Sequence, residues 1–278
     1  MSHQIGIMQG RLSKPEDGKI QSFPFKTWSK EFYSASDIGL SLIEWVLDDN
    51  INQNPIMQKK FQKDINELQR DTNVKIESIC CDFFMQNPFL KEQKNFNKIN
   101  VEILENLISD ICPKNHIHII DLPMIKNSKM NKNVIQRSFY ELITSFENEI
   151  IKNNIKIALE TDLNPYEFKD FFSKFNKGYL MVNYDMGNSA YWNFNSNDEF
   201  SCYGNKICNV HVKDCTPEKY TVELGSGNVK FKDVFLNLKK YKYSRNFILQ
   251  AARSSTNQID DASNQIEFLK YHIKNFLE

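Results

Sequence analysis

Four polar side chains, spaced about one β/α unit apart, are the residues of this sequence best suited to chemistry. Glu160 lies in KIALETD, Asp185 lies in MVNYDMGN, His211 lies in NVHVKD, and Gln250 follows the apolar run of NFILQAAR. Two carboxylates, an imidazole and an amide oxygen form a hard, oxygen-rich donor set that suits Mn²⁺, Mg²⁺ or Co²⁺ better than a thiolate-loving ion. Together they predict a divalent metal site. The alternative is four strand-end polar residues, each satisfied by its own neighbours.

Short β-rich runs separated by longer amphipathic stretches are the elements that must position these side chains. The predicted strands are Ile5–Met8, Leu42–Trp45, Lys75–Cys80, His116–Ile120, Lys156–Leu159, Tyr179–Tyr184, Ile207–Val212 and Phe247–Leu249. The helical stretches have apolar residues at three- and four-residue steps, and they include Lys59–Gln69, Val101–Ile111, Val134–Lys152, Val234–Leu238 and a closing Asn264–Phe276. This alternation predicts parallel strands joined by crossover helices.

The length favours one closed barrel. The chain has 278 residues, close to the roughly 250 that a (β/α)8 barrel needs, and no linker rich in Pro, Gly or Ser divides it. An open doubly wound sheet would show the same alternation, but IGIMQGR stands where its G-x-G-x-x-G fingerprint would follow the first strand. We therefore predict an α/β fold, a single-domain (β/α)8 TIM barrel over residues 1–278, with two smaller domains as the second choice.

Strand parity predicts that the four side chains meet. Inward and outward side chains alternate along barrel strands, and catalytic groups come from the carboxyl ends of the strands. Successive members of the set are 25, 26 and 39 residues apart, each compatible with about one step round the ring. Glu160, Asp185, His211 and Gln250 are therefore all expected to point inward at one mouth.

Charge and composition exclude several function classes. Lys+Arg and Asp+Glu both number 35, so no overall field would draw the protein to nucleic acid or to an anionic membrane. The N-terminus has no basic segment followed by an apolar run, and nowhere do about 18 apolar residues follow one another. The six cysteines form no C-x-x-C pair, which favours reduced structural thiols. A soluble, cytoplasmic protein with a small-molecule partner is expected.

Along nearly the whole chain, in the expected order, these motifs resemble the xylose isomerase-like TIM barrels. That family includes sugar-phosphate isomerases, tagatose- and psicose-type 3-epimerases and, more distantly, zinc-dependent apurinic endonucleases. The resemblance is carried by IGIMQGRL, GLSLIEW, LETD, NYDMGN, NVHVKD and LGSGNVKF. It implies a divalent ion, Mn²⁺, Mg²⁺, Co²⁺ or Zn²⁺, held by Glu160, Asp185, His211 and the residue at position 250. It also implies a sugar or sugar phosphate substrate and, as in many members, a homo-oligomer.

One ligand position departs from the epimerase pattern, because Gln250 stands where the family has a glutamate. The family's chemistry is proton removal next to a carbonyl with formation of an enediolate, and we assign the base to Glu160. An amide can still ligate a metal through its oxygen, but it cannot carry a proton near neutral pH. The departure predicts weaker metal binding, and it favours a one-base aldose–ketose isomerisation over a two-base epimerisation.

Further residues near the predicted strand ends are candidates for substrate contact. Each has a structural alternative: a solvated rim for the arginines, an ion pair for Glu44, Lys213 and Asp214, and a core position for His118. Arginine offers a planar donor fork for phosphate or carboxylate, and Asn188 stands where the epimerase pattern has a histidine. We interpret LGSGNVKF as a turn before a helix rather than as a phosphate cradle. The substrate-binding candidates are Arg11, Glu44, His118, Asn188, Lys213, Asp214 and Arg253.

Three rival functions remain open from the sequence. A hydrolase of the apurinic endonuclease type would gather about three metals with many histidines, whereas this chain has five histidines and no excess of basic residues. A lyase or dehydratase of the same barrel family would use the same metal and enolate chemistry. A non-catalytic barrel that binds a carbohydrate or a partner protein would explain Gln250 as a step toward lost activity.

Overall fold

Eight parallel strands close into a barrel, which confirms the predicted (β/α)8 fold. The computed structural model describes residues 3–15, 21–92, 95–218, 220–254 and 256–278. Each strand pairs with the strands before and after it in the chain, and the last pairs with the first. The barrel strands are β1 Ile5–Met8, β2 Leu42–Val46, β3 Ser78–Cys80, β4 Ile119–Met124, β5 Lys156–Thr161, β6 Leu180–Asp185, β7 Ile207–Val212 and β8 Phe247–Leu249.

Helices cover the outside of the barrel and connect its strands. Predicted helix Val134–Lys152 is two helices that meet at Phe146, and the closing helix begins at Gln258 rather than at Asn264. The α-helices are α1 Trp28–Asp37, α2 Gln62–Thr72, α3 Phe83–Gln86, α4 Lys98–Asn106, α5 Cys112–Asn115, α6 Asn133–Ser145, α7 Glu147–Lys152, α8 Pro165–Lys174, α9 Met186–Tyr191, α10 Ser196–Tyr203, α11 Phe231–Lys240 and α12 Gln258–His272.

The apolar core lies between the strands and this helical layer. Its largest fully buried side chains include Trp45, Phe32, Phe171, Phe235 and Phe247, and each such burial contributes about 1.5–3 kcal/mol. The interior of the barrel, by contrast, holds several polar residues. In the part of the chain that the structure describes, no helix combines the length and the apolar character that crossing a membrane requires.

Strand β4 starts three residues later than the sequence predicts. His116 adopts a left-handed conformation with φ 58° and ends α5, so the chain is still turning where the strand was expected. Lys75, the predicted start of the third strand, makes only an isolated bridge to Leu42. The shift in β4 has a functional consequence, because it moves Asp121 into the barrel and leaves His118 outside it.

Strand β7 contains a β-bulge that sets the level of the site. The register with β6 shifts between Val182 and Asn183, whose partners are Ile207 and Asn209. The extra residue, Cys208, is fully buried among apolar side chains low in the barrel. Beyond the bulge, Asp185 lies opposite His211, so these two predicted site residues are level at the carboxyl ends of their strands.

The loop after β7 is organised around Asp214. This fully buried carboxylate accepts four backbone N–H groups, from Cys215 at 2.9 Å, Gly225 at 3.0 Å, Gly227 at 2.9 Å and Val229 at 3.1 Å. A Cβ atom at Gly227 would lie 2.3 Å from Asp214 Oδ1, so only glycine fits there. The prediction that Asp214 contacts substrate is therefore wrong. The segment LGSGNVKF is a turn before α11, as interpreted from the sequence, and its amides serve Asp214.

The role of Asp214 predicts a large loss of stability in Asp214→Asn. The amide has one acceptor oxygen, and its NH2 group would face backbone N–H donors, so each donor left unsatisfied costs about 1–3 kcal/mol. Urea unfolding should show a lower free energy of unfolding by at least about 2 kcal/mol. The matched control, Asp37→Asn at the exposed end of α1, should stay within about 0.5 kcal/mol of the parent. Equal effects of the two substitutions would contradict the assigned role.

Candidate active site at the carboxyl ends of the strands

A cavity of about 350 Å³ opens at the carboxyl ends of the barrel strands. Small-molecule sites have volumes of this order, and the carboxyl end is where TIM-barrel enzymes place their chemistry. Tyr191 and Trp192 form an aromatic part of the wall, whereas Trp28 packs against Trp45 in the core. The polar lining residues used below are Gln21, Asp82, Glu160, Asn188, Lys213 and Gln250.

Glu160 is the next-to-last residue of β5 and is the acid–base candidate of this cavity. It is only 7% exposed, and it accepts hydrogen bonds from Asn183 Nδ2 at 3.1 Å and Asn188 Nδ2 at 2.5 Å. Burial, followed by the charge of Asp185, raises the pKa of Glu160 to about 7, although His211 and Lys213 act in the opposite direction. A carboxylate with a pKa near neutral can both take and return a proton.

His211 and Glu44 form a fully buried pair inside the barrel. His211 Nε2 lies 2.6 Å from Glu44 Oε1, and both side chains are 0% exposed. Burial alone lowers the pKa of His211, but the charge and hydrogen bond of Glu44, with Asp121 and Glu160, raise it to about 10. Burial likewise disfavours the charged form of Glu44, yet His211 holds the pKa of Glu44 below 4.5. Glu44 is thus the ion-pair partner that the sequence left as the alternative, and its predicted contact with substrate is wrong.

The second nitrogen of His211 points toward the mouth. Nδ1 lies 3.1 Å from Asn183 Nδ2 and 3.8 Å from Glu160 Oε2. Metal-ligating histidines commonly donate their other N–H to a carboxylate, which fixes the orientation of the ring. Glu44 occupies that position, so the ring is held as a ligand would be.

Asp185 and Lys213 pair at the edge of the cavity. Lys213 Nζ donates to Asp185 Oδ2 at 3.0 Å and to Asn188 Oδ1 at 2.8 Å. The other oxygen of Asp185 accepts the backbone N–H of Asn188 at 2.8 Å and caps α9. Burial lowers the pKa of Lys213, but the charges of Asp185 and Glu160 raise it above its usual value, so the ammonium is retained. Asn188 thereby joins the Lys213 ammonium to the Glu160 carboxylate.

Asp121 is a site residue that the sequence reasoning missed, because the predicted fourth strand ended one residue before it. It is fully buried, and its Oδ2 accepts from Asn183 Nδ2 at 3.1 Å. Burial raises the pKa of Asp121 well above its usual range, and the charges of Glu160 and Glu44 add to this effect. The signal that could have found it is an acidic residue inside the apolar run IIDLPM.

The donor atoms fit a hard divalent ion, although the predicted set is only partly assembled. Ligand atoms of Asp121, Glu160 and His211 all lie within 4.8 Å of one another. Gln250 Oε1 and Asp121 Oδ1 are buried and have no hydrogen-bond partner, so both oxygens are available to a cation. Asp185, which the sequence places in the set, is instead held by Lys213. Carboxylate, amide and imidazole donors of this kind suit Mn²⁺, Mg²⁺, Co²⁺ or Zn²⁺.

Arg11 and Arg253 do not line this cavity, contrary to the substrate contacts predicted for them. Arg11 is 5% exposed and donates to Gln21 Oε1 at 3.0 Å. Burial, together with the charge of Arg253, lowers the pKa of Arg11 to about 9. Arg253 lines a separate cavity with Asp261, Gln265 and other residues. Arg11 thus supports Gln21, which lines the cavity, whereas Arg253 lines the other cavity.

His118 lies at the opposite end of the barrel, so its predicted contact with substrate is also wrong. The side chain is exposed and precedes β4, and its backbone carbonyl accepts the N–H of Lys156, the first residue of β5. It lines a cavity at the amino ends of the strands with Glu77, Lys156 and Arg245. The error follows from the shifted start of β4, since a strand over His116–Ile120 would have carried the side chain toward the interior.

Comparison with known proteins agrees with this geometry. The family model described as "Xylose isomerase-like TIM barrel" matches residues 32–272. A Haemophilus influenzae protein named "Putative L-ribulose-5-phosphate 3-epimerase SgbU" is 24% identical over 264 residues, which cover 89% of this chain and 88% of that protein. A solved L-ribulose 3-epimerase is similar with a TM-score of 0.75 at 13% identity, covering 98% and 95% of the two chains. The IOLI protein with a bound zinc atom gives 0.74 at 14% identity, covering 99% and 100%. The chain belongs to the xylose isomerase-like TIM barrel family, as its motifs predicted.

Proposed function

We propose that this protein is an enzyme that isomerises or epimerises a sugar or sugar phosphate by moving a proton next to the substrate carbonyl. The observation that carries the proposal is Glu160, a buried carboxylate with a pKa raised to about 7 at the mouth of a family barrel. It faces a cavity large enough for a small sugar. The names of the relatives support the same substrate class, since they include epimerases of L-ribulose 5-phosphate, L-ribulose and D-psicose.

The residues of the chain can perform the proton transfer. Glu160 takes the proton from the carbon next to the carbonyl, the C–H electron pair forms a C=C bond, and negative charge moves to the carbonyl oxygen. Asn188 and Asn183 hold the carboxylate in place through its two oxygens. The Lys213 ammonium, joined to Glu160 through Asn188, adds positive charge to the same wall. Return of the proton from Glu160 to the former carbonyl carbon, with transfer of the neighbouring hydroxyl's proton to the former carbonyl oxygen as the new C=O bond forms, gives isomerisation.

A divalent ion would be held by Glu160, His211 and Gln250, with Asp121 as a further oxygen donor next to Glu160 and His211, and Asp185 would join them on release from Lys213. When bound, such an ion stabilises the negative charge that develops on the carbonyl oxygen. The Glu44 carboxylate keeps the imidazole of His211 directed to this place. The cytoplasmic location and the homo-oligomer stay predictions from the sequence and the resemblance.

Replacing the proposed base should stop proton exchange without unfolding the barrel. In D₂O, the parent should incorporate deuterium next to the carbonyl of at least one sugar among L-ribulose, D-allulose, D-tagatose and D-fructose or their phosphates, as followed by proton NMR. Glu160→Gln should lower the exchange rate by about 10²- to 10⁴-fold, because general-base catalysis contributes that much. Glu149→Gln, on the exposed side of α7, is the matched control and should exchange at the parental rate. Exchange that survives in Glu160→Gln would remove Glu160 as the base.

Metal binding should become tighter when the glutamate of the family pattern is restored at position 250. Gln250→Glu adds an anionic oxygen next to the partnerless position of Gln250 Oε1, and hard divalent ions prefer charged oxygen donors. Titration calorimetry with Mn²⁺ should show an affinity higher than that of the parent by roughly tenfold or more. Glu160→Gln, which removes a carboxylate from the same set, should weaken binding. Unchanged affinity in both variants would mean that Mn²⁺ binds elsewhere or not at all.

A further inference from the structure

Besides Glu160, and Asp162 that pairs with Lys129, the cavity has a carboxylate at Asp82 that the proposed proton transfer leaves without a role. It follows β3 and immediately precedes α3, and it lines the same cavity as Glu160. The two carboxylates influence one another, because the charge of Asp82 is among the causes that raise the pKa of Glu160. They reach the cavity from β3 and β5, on either side of β4, so a substrate carbon between them can be approached from two directions.

A chain of hydrogen bonds connects Asp82 to the position where the family's second glutamate is replaced. Gln250 Nε2 donates to Gln21 Oε1 at 3.0 Å, and Gln21 Nε2 donates to Asp82 Oδ2. Every donor in this chain is an amide N–H, and every bond runs toward Asp82. A glutamate at position 250 could not donate the first bond. The amide at position 250 therefore supports a carboxylate at position 82, and Arg11 adds a further hydrogen bond to Gln21.

We infer that Asp82 is the second proton carrier of this site, so that the chain epimerises a 2-ketose with Glu160 and with Asp82 in place of the family's second glutamate. The inference rests on the proposed function. Glu160 removes the proton from C3, and the C3–H electron pair becomes a C2=C3 double bond as the C2 oxygen takes the negative charge. Protonated Asp82 then gives its proton to the other face of C3, and the C2=O bond forms again. One turnover leaves Glu160 protonated and Asp82 ionised, and proton exchange with water restores both.

The surroundings of Asp82 suit a group that holds a proton before giving it up. Burial raises the pKa of Asp82, while hydrogen bonds from Gln21 and Cys80 and the charges of His211 and Lys126 limit the rise. Lys213, another proton-bearing group of the cavity, is tied to Asp185 and Asn188 and keeps its ammonium form. Of these two groups, Asp82 is the better proton donor to an enolate.

Two rates measured in the same D₂O experiment separate this role from a structural one. In Asp82→Asn, formation of the C3 epimer should fall by about 10²-fold or more. Deuterium entry into the recovered substrate should persist within a few-fold of the parent, because Glu160 still removes and returns a proton on its own face. Asp170→Asn neutralises an exposed carboxylate that pairs with Lys174 on α8, outside the cavity, and this control should leave both rates unchanged. Adding Gln250→Glu to Asp82→Asn should recover at least about tenfold of the lost epimer formation, since it returns a carboxylate to the site.

Four results would overturn the inference. Epimer formation in Asp82→Asn at the parental rate would show that Asp82 carries no proton. Equal loss of epimer formation and of exchange, with an unchanged circular dichroism spectrum and melting temperature, would show that Asp82 only supports the site. A parent that isomerises a sugar but forms no epimer would overturn this inference and leave the proposed function standing, whereas a parent that exchanges no proton of any ketose would overturn both.

Discussion

The buried ion pair between His211 and Glu44 is the interaction on which the arrangement of the site depends. Both side chains are 0% exposed and lie 2.6 Å apart, in surroundings where a single unpaired charge would cost several kcal/mol. Because neither partner can lose the other without that cost, the imidazole has one orientation. The remaining oxygen of Glu44 accepts from Ser78 Oγ at 2.6 Å and Asn209 Nδ2 at 2.8 Å, so the carboxylate is fixed as well.

The carboxyl groups of the site differ in how easily they ionise, because the pKa of Glu44 is lowered whereas those of Asp121 and Glu160 are raised. This difference makes acid–base chemistry at the mouth possible. Glu44 and His211 keep opposite charges, while burial and the neighbouring carboxylates raise the pKa of Asp121 next to them. Glu160, one step nearer the cavity, has a pKa of about 7 and is balanced between its two forms. Asn183 donates to both Asp121 and Glu160 and so holds these carboxyl groups apart from direct contact. The barrel thereby presents a carboxyl group that changes protonation near neutral pH.

The sequence predicted the fold, and the places where the structure departs from the predicted site have identifiable causes. Parity predicted inward positions for Glu160 and His211, and in the structure Glu160 Oε2 lies 3.8 Å from His211 Nδ1, with the bulge in β7 below them. Parity gave the wrong result in the fourth strand. One continuous apolar run allowed two starting points for this strand, and the predicted start favoured His118 rather than Asp121 as the interior residue. Contacts between side chains that are far apart in the sequence could not be predicted from it. The Glu44–His211 pair spans 167 residues, and the Gln250–Gln21 bond spans 229. The predicted substrate contact of Asp214 failed because the partners of this carboxylate are backbone amides of a loop that folds back on it.

Cocrystals of the protein with Mn²⁺ and a ketose such as D-allulose would test the central claim directly. The account predicts anomalous density next to Glu160 and His211, and it predicts that the carbon next to the sugar carbonyl lies within about 3–3.5 Å of a Glu160 carboxylate oxygen. A sugar bound at the amino ends of the strands, or one whose carbonyl points away from Glu160, would contradict the account.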